Sequence, residues 1–324
     1  MRKFTLTVTA AALATGLVAA SPALADDGSS THGSHTAPAT GGASGDGSAA
    51  PPTAVSAKAP AVSLVARLSG DQEVPTQGGP AVGDQDGDAV ALVKVKGNRV
   101  TFALTWNGID RPTLGHIHQG VAGTNGDVKV GLFTTPMPAT AQSAAGQTSV
   151  TDAALAEQLR TDPTKFYVNL HTKEFPGGAV RGQLRPLAKP VNPLSIIRGG
   201  KLRALADGGQ EVPTGDPKRV GDPDGHSVTF LYPQGGRVGY SLAWVNIGAP
   251  LAGHIHRGTL GRNGDVKIPL FVTAVPQNIF AISGTVAVPD ASVTAQIKRR
   301  PTDFYSNLHT EEFPDGAVRG QLFH

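Results

Sequence analysis

Apolar and polar side chains alternate over several short stretches of the chain. A clear example is the apolar series Val100, Phe102, Leu104 and Trp106, which is interleaved with Thr101, Ala103 and Thr105. Because successive side chains of a strand point to opposite faces, a period of two predicts a half-buried β-strand. Several short strands separated by turn residues are typical of an antiparallel sandwich or barrel.

Two segments depart from this alternation and predict one short helix in each half of the chain. They cover residues 152–160 and 290–299, where Leu155 and Leu159, or Val293 and Ile297, would share the inward face. The pairs Asn125-Gly126 and Asn263-Gly264 are strong tight-turn sequences, and they predict strands directly after them.

The whole pattern occurs twice. Gly115-His116-Ile117-His118 returns as Gly253-His254-Ile255-His256, and every other shared motif is displaced by the same 138 positions. A unit of this length is a duplicated domain and not a solenoid repeat. We predict one domain at 61–187, a Pro-rich linker at 188–198 and a second domain at 199–324. The expected fold is all-β, with two tandem antiparallel β-sandwich domains of Greek-key or immunoglobulin-like type, each with one short helix.

The first 60 residues are expected to lie outside this fold. Arg2 and Lys3 precede an apolar run that ends in Ala23-Leu24-Ala25, which predicts a secretory signal peptide over residues 1–25, cleaved after Ala25. Residues 26–60 are rich in Gly, Ser, Ala and Pro and have too few large apolar side chains to fold, so we expect a disordered tether. No later segment has the ~20 apolar residues of a membrane span, and we expect a secreted, extracellular protein.

Composition narrows the classes of partner and site. The absence of cysteine excludes disulfides, thiolate metal sites and cysteine nucleophiles. Without Arg2 and Lys3 the 28 basic residues become 26, against 25 acidic residues, and no basic stripe with aromatic residues is present. This argues against nucleic acid as a partner. The expected partner is an unidentified extracellular protein or a component of the cell envelope.

Three histidines in each copy are the main candidate site. His116 and His118 would project from one face of a strand, and His171 would lie on the polar face of another. Imidazole sets of this kind suit copper or zinc. The corresponding set in the second copy is His254, His256 and His309. Supporting residues on the same polar faces are expected to be Glu73, Asn169 and Arg181, and Glu211, Asn307 and Arg319.

Other interpretations of these residues remain open. The histidines could instead form a structural hydrogen-bond network with Asn169 and Glu73, without a metal. A guanidinium at Arg181 would repel a cation unless Glu73 or Glu174 neutralised it. The segment Asp84-Gln85-Asp86-Gly87 offers alternate oxygen ligands for calcium, but a plain tight loop is favoured. No catalytic residues are predicted, because neither a nucleophile elbow nor a phosphate-binding loop is present.

The combined motifs carry a family resemblance. Gly-His-Ile-His followed by Phe-Tyr-x-Asn-Leu-His-Thr-x-Glu-Phe-Pro-x-Gly-Ala-Val-Arg-Gly-Gln-Leu closely resembles the CHRD domain family, named from chordin, an extracellular antagonist of secreted growth factors. The resemblance implies an all-β extracellular domain without known catalytic residues. It does not extend to chordin's cysteine-rich modules, so growth-factor binding is not implied. We therefore expect an exported, non-enzymatic binding or structural protein.

A fainter likeness suggests a competing class. Copper-zinc superoxide dismutases are also β-sandwiches, and they too have a His-x-His pair among their copper ligands. Here the likeness covers only His116 with His118 and His254 with His256. The alternative hypothesis is therefore a metal-dependent redox enzyme.

Overall fold

Antiparallel strands build almost all of the protein, as the alternating pattern predicts. The computed structural model describes residues 60–324, which belong to one compact unit. The expected signal peptide, and all of the expected tether except Pro60, lie outside the described residues.

The first repeat contains nine strands and one α-helix. Its elements are β1 (Val62–Ser69), β2 (Asp88–Lys96), β3 (Arg99–Asn107), β4 (Leu114–Gln119), β5 (Val128–Phe133), β6 (Ala141–Ser149), α1 (Ala153–Thr161), β7 (Phe166–His171), β8 (Val180–Gln183) and β9 (Arg185–Pro186).

The second repeat has the same order of elements, except that one longer strand replaces β8 and β9. Its elements are β10 (Arg203–Asp207), β11 (His226–Gln234), β12 (Arg237–Val245), β13 (Ala252–Arg257), β14 (Val266–Phe271), β15 (Ile279–Ala287), α2 (Ala291–Arg299), β16 (Phe304–His309) and β17 (Val318–Phe323).

Both helices form where the sequence predicts them. Asp152 caps α1 by accepting hydrogen bonds from the backbone N–H groups of Ala154 and Leu155, and Asp290 caps α2 by accepting one from the N–H of Ser292. Leu159 and Ile297 are fully buried against the sheets. At nine residues each, the helices of residues 60–324 are too short to cross a bilayer.

Strand pairing runs continuously around each repeat. In the first repeat the order is β5-β4-β7-β8-β1-β2-β3-β6, so that a sheet of β6, β3, β2 and β1 faces a sheet of β5, β4, β7 and β8. The second repeat follows the equivalent order. Each repeat is thus a flattened, barrel-like β-sandwich, which confirms the all-β tandem prediction. Core side chains such as Phe102, Trp106 and Ile117 are buried between its sheets.

The two repeats join edge to edge. Strand β6 pairs antiparallel with β15, and Ala144 is opposite Ile282, the residue that occupies the same position in the second repeat. The repeats are therefore related by a pseudo-two-fold axis through this pair. Outside the ladder, Thr140 Oγ1 lies 2.9 Å from the Tyr240 hydroxyl, and Asn278 Nδ2 donates to the carbonyl of Leu132. One sheet thereby spans both repeats.

The segment between the repeats packs on this shared sheet. A short 3₁₀ helix, Pro193–Ile196, begins after Asn192, whose side chain accepts a hydrogen bond from the N–H of Leu194. Ile196 packs into a small apolar cluster with Ala103, Ala145 and Ala281, which come from both repeats.

The junction between repeats requires a residue without a side chain at Gly284. A Cβ atom there would lie 1.9 Å from the carbonyl oxygen of Thr140. We expect Gly284→Ala to lower the free energy of unfolding by about 1–3 kcal/mol, because the backbone atoms of the two repeats must move apart. Gly199→Ala is the matched control, since nothing lies within 4 Å of a Cβ there. Equal urea midpoints for the two variants would contradict this view of the junction.

Candidate metal centre

Strand β4 brings the first two histidines to one face of its sheet. It pairs with β5 on one side and β7 on the other, and the register places His116 opposite Asn169 and His118 opposite Tyr167. His171, at the end of β7, is opposite Leu114 and therefore lies diagonally next to His116. His116 and His118 share one face of β4, as predicted, and His171 of the neighbouring strand lies on the same face. The three rings therefore lie together.

The ring nitrogens of each triad converge. The Nδ1 atom of His116 lies 3.3 Å from Nε2 of His171, and the equivalent distance from His254 to His309 is 3.2 Å. One ring nitrogen from each of the three histidines lies within 4.8 Å of the others in both repeats. Two nitrogen ligands at tetrahedral zinc would be about 3.4 Å apart, given zinc–nitrogen bonds of ~2.0–2.1 Å. The closest pairs already have this spacing.

Backbone carbonyls fix the orientation of two rings in each triad. The Nδ1–H of His118 donates to Gly126 O at 2.9 Å, and that of His171 donates to Pro176 O at 3.0 Å. In the second repeat His256 and His309 donate to Gly264 and Pro314, both at 2.9 Å. Since a carbonyl only accepts, each ring carries its proton on Nδ1 and leaves an Nε2 lone pair. Ligating histidines in metalloproteins are held in the same manner.

One ring nitrogen in each histidine triad has no partner among the described residues. Nε2 of His118 and Nε2 of His256 are buried and form no hydrogen bond with any described residue. A buried acceptor without a partner costs about 1–3 kcal/mol. The hydrogen bonds within residues 60–324 therefore do not satisfy these two nitrogens.

Burial keeps the six imidazoles neutral. It lowers the pKa of His116 and of His254 to about 4, with a further decrease from the neighbouring histidines of each triad. Burial also lowers the pKa of the other four, although their hydrogen bonds to carbonyls oppose the shift. Neutral imidazole is the form that binds a metal ion.

A stack of three side chains supports His118 from one side. Its ring lies nearly parallel to Tyr167, at an angle of 9° and a centroid distance of 4.9 Å. The Arg181 guanidinium packs on Tyr167 as well, 3.4 Å from the ring centroid. Two groups this close cannot share one face of a ring, so Tyr167 separates the cation from the histidine. Tyr305 stacks in the same way with His256 and Arg319.

The sequence predicted these arginines but not the direction in which they point. Arg181 is buried, and it donates to Asn125 Oδ1 at 3.1 Å, Val121 O at 3.0 Å and Thr124 O at 2.7 Å. It therefore fixes the loop that contains Gly126, the acceptor of the His118 bond. Its hydrogen bonds are directed at this loop, while its charge still contributes, after burial, to the lowered pKa of His118. The alternation of β7 places Tyr167 on the same face as Asn169 and His171, but neither Tyr167 nor Tyr305 was among the predicted site residues.

The predicted glutamates lie beside the site but do not bind the histidines. Asn169 Nδ2 donates to Glu73 Oε2 at 3.3 Å, and Asn307 Nδ2 donates to both oxygens of Glu211 at 2.9 and 3.0 Å. The histidines therefore do hydrogen-bond loops to strands, as the structural alternative expects, but Asn169 and Glu73 bond to each other and not to the histidines. Burial raises the pKa of both carboxyl groups to about 7, against the opposing effect of the arginine and asparagine.

In the second repeat a cavity of about 190 Å³ opens next to the triad. Its walls include His256, His309, Tyr305 and Glu211, with Asp315 among the residues that complete the lining. Solvent thus reaches the second triad beside an acidic side chain.

The calcium candidates Asp84 and Asp222 are buried in tight turns, where burial and the neighbouring Asp86 or Asp224 raise their pKa. Gly87 N–H donates to Asp84 O at 3.2 Å, as in a tight turn, and the corresponding contact in the second repeat, from Gly225 to Asp222, is 3.4 Å. The clusters of potential metal ligands found among residues 60–324 are the two histidine triads. Glu174 is exposed, as its place on a turn predicts.

Comparison with known proteins identified one relationship. The family model described as CHRD domain matches the chain twice, over residues 64–184 and 202–322. No curated protein and no solved structure matches the chain.

The raised pKa of Glu211 predicts a pH-dependent effect of Glu211→Gln. The folded pKa is about 7 against 4.5 for the free side chain, so the folded state binds more protons between these values and this carboxyl costs stability as pH rises. We therefore compare the unfolding free energy of Glu211→Gln with that of wild type at each pH. The variant's advantage should grow by about 1–3 kcal/mol from pH 5 to pH 8, after allowance for the partial exposure of the side chain.

Urea titrations at the two pH values measure this difference, and any pH-independent effect of the amide cancels. Glu311→Gln is the control, because Glu311 is exposed on a turn. A Glu211→Gln difference that is constant from pH 5 to pH 8 would show that the carboxyl is not desolvated.

Proposed function

Because the chain belongs to the CHRD domain family, we propose that it is an exported, non-enzymatic binding protein that holds one transition-metal ion in each of its two domains. The ligands in the first domain are His116, His118 and His171. Those in the second are His254, His256 and His309. The partner that the protein serves is an extracellular protein or a component of the cell envelope.

The observation that carries this proposal is the convergence of three neutral ring nitrogens in each domain. The separations of 3.3 and 3.2 Å match adjacent ligands of a tetrahedral ion better than they match a strong hydrogen bond. A purely structural network would account for the contact between His116 and His171. It would leave Nε2 of His118 buried without a partner, and the same holds for His256.

Ligand chemistry favours zinc or copper. Imidazole nitrogen is the usual protein ligand for both ions, whereas calcium and magnesium prefer oxygen. Three ligands leave the fourth tetrahedral position for water or for a group from a partner.

The redox alternative gains no comparable support. Its premise was a His-x-His pair like that of copper-zinc superoxide dismutases, and within residues 60–324 each metal-ligand cluster consists of three histidines alone. Neither cluster includes a carboxylate ligand of the kind expected for a neighbouring zinc site. A binding role therefore remains the better conclusion from these residues.

Metal content after loading tests the proposal. Purified protein is incubated with zinc or copper, dialysed and analysed by elemental mass spectrometry. We expect two ions per wild-type chain, one for His116→Ala and none for the double variant His116→Ala with His254→Ala. His226→Ala is the control and should retain two ions, because His226 is exposed and outside both triads.

Thermal unfolding with and without metal gives a second measurement. Binding to the folded state alone raises stability by RT ln(1 + [L]/Kd), so saturating metal should raise the Tm of wild type but not that of the double variant. Wild-type protein that retains no zinc or copper after loading would refute the proposal. Consumption of superoxide well above background by the loaded protein would instead restore the redox alternative.

A further inference from the structure

Two rows of small side chains cross the outer face of the shared sheet, where β3, β6, β15 and β12 lie side by side. Residues two apart on a strand share a face, and the ladders align these residues across all four strands. The first row consists of Ala103, Ala145, Ala281 and Ala243. The second row consists of Thr105, Ser143, Ser283 and Ser241.

The pseudo-two-fold axis exchanges the two rows. Ala103 occupies the position in the first repeat that Ser241 occupies in the second, and Ala145 corresponds to Ser283. In the reverse direction, Thr105 corresponds to Ala243 and Ser143 corresponds to Ala281. The same four structural positions are therefore apolar on one side of the axis and carry hydroxyl groups on the other. We name them the alanine row and the hydroxyl row.

The linker covers the alanine row. Ile196 and Ile197 pack on it, together with Phe280 and Leu92. Phe280 itself corresponds to Gln142 on the other side of the axis, so the change from apolar to polar extends beyond the rows. Burial of the alanine row against two isoleucines accounts for its composition.

The hydroxyl row borders an open cavity of about 460 Å³. Side chains of the hydroxyl row line it, and Thr105 Oγ1 and Ser143 Oγ are 3.0 Å apart. Ser241 is buried at its edge, where its hydroxyl accepts a hydrogen bond from the backbone N–H of Arg198 at 3.3 Å. Amide side chains at Asn107 and Gln142 and the aromatic ring of Tyr232 form part of its walls. A cavity of this volume and polar lining suits a small molecule with many polar groups.

The charge at this cavity has one sign. Arg198, from the linker, and Arg237, from β12, both line it, and no acidic residue does. Both arginines are exposed, and neither forms an ion pair with a residue of the described chain. Guanidinium groups recognise carboxylate and phosphate through two parallel hydrogen bonds. An anionic ligand would complete this arrangement.

We propose that the hydroxyl row, with Arg198 and Arg237, is a binding site for a short acidic oligosaccharide. The row crosses four strands at ~4.8 Å spacing and is therefore about 14 Å long, which suits an extended chain of sugars and not a single ion. Hydroxyl and amide groups serve the sugar hydroxyls, the arginines serve the carboxylates, and the Tyr232 ring offers a surface for stacking. This site is independent of the histidine triads and of any metal.

Isothermal titration with trigalacturonic acid tests the proposal, with a neutral galactose trisaccharide as the comparison ligand. We expect the acidic ligand to bind at millimolar concentration and the neutral one to bind at least about tenfold more weakly, because the charge-assisted hydrogen bonds are lost. Arg237→Ala should weaken binding of the acidic ligand by about tenfold or more for the same reason.

The pseudo-symmetry supplies a matched control. Arg99 is the equivalent of Arg237 in the first repeat and does not line the cavity, so Arg99→Ala should leave the affinity unchanged. Ser283→Ala should weaken binding without unfolding the protein, because alanine is already present at the equivalent position, Ala145. Failure of trigalacturonic acid to bind, equal binding of the neutral trisaccharide, or an equal loss with Arg99→Ala would each overturn the proposal.

Discussion

Burial of both faces of β7 and β16 imposes the strongest constraint on this protein. All six residues of β7 are buried, including the polar series Tyr167, Asn169 and His171. Buried polar groups must be hydrogen-bonded or they cost free energy. The loops after β4 and β7 close over this face and supply carbonyl acceptors for His118, His171 and Arg181. Glu73 accepts the hydrogen bond that Asn169 donates. The triad, the stack and the glutamate contact all follow from that closure.

The same constraint connects the architecture with the proposed chemistry. Hydrogen bonds to backbone carbonyls fix the tautomers of His118 and His171, and burial keeps both rings neutral. Tyr167 stacks between Arg181 and His118, and the guanidinium holds the loop after β4 through the carbonyls of Val121 and Thr124. The nitrogens stay neutral, which is the form that binds a metal ion, whereas the positive charge of Arg181 by itself disfavours a cation at the triad.

Duplication has produced one sheet with two different halves. The β6–β15 ladder makes each repeat the neighbour of its own copy, and Ala144 opposite Ile282 marks the axis. A symmetric pair needs only one linker. The isoleucines of that linker cover the alanine row, while Arg198 at its end reaches the hydroxyl row. The covered side has become apolar, and the uncovered side carries hydroxyl groups and arginines. In this way a symmetric fold acquired an asymmetric surface.

The sequence alone determined the local features of the protein. Period-two alternation located strands such as β3, aspartates preceded the two helices, and the 138-residue displacement identified the duplication. It also placed His116 and His118 on one face, since that depends only on i and i+2 geometry. The tertiary structure alone decided that His171 meets them, that Tyr167 shields Arg181, and that β6 pairs with β15. These contacts join residues far apart in the chain, and their geometry depends on strand order and loop closure, which local periodicity does not encode.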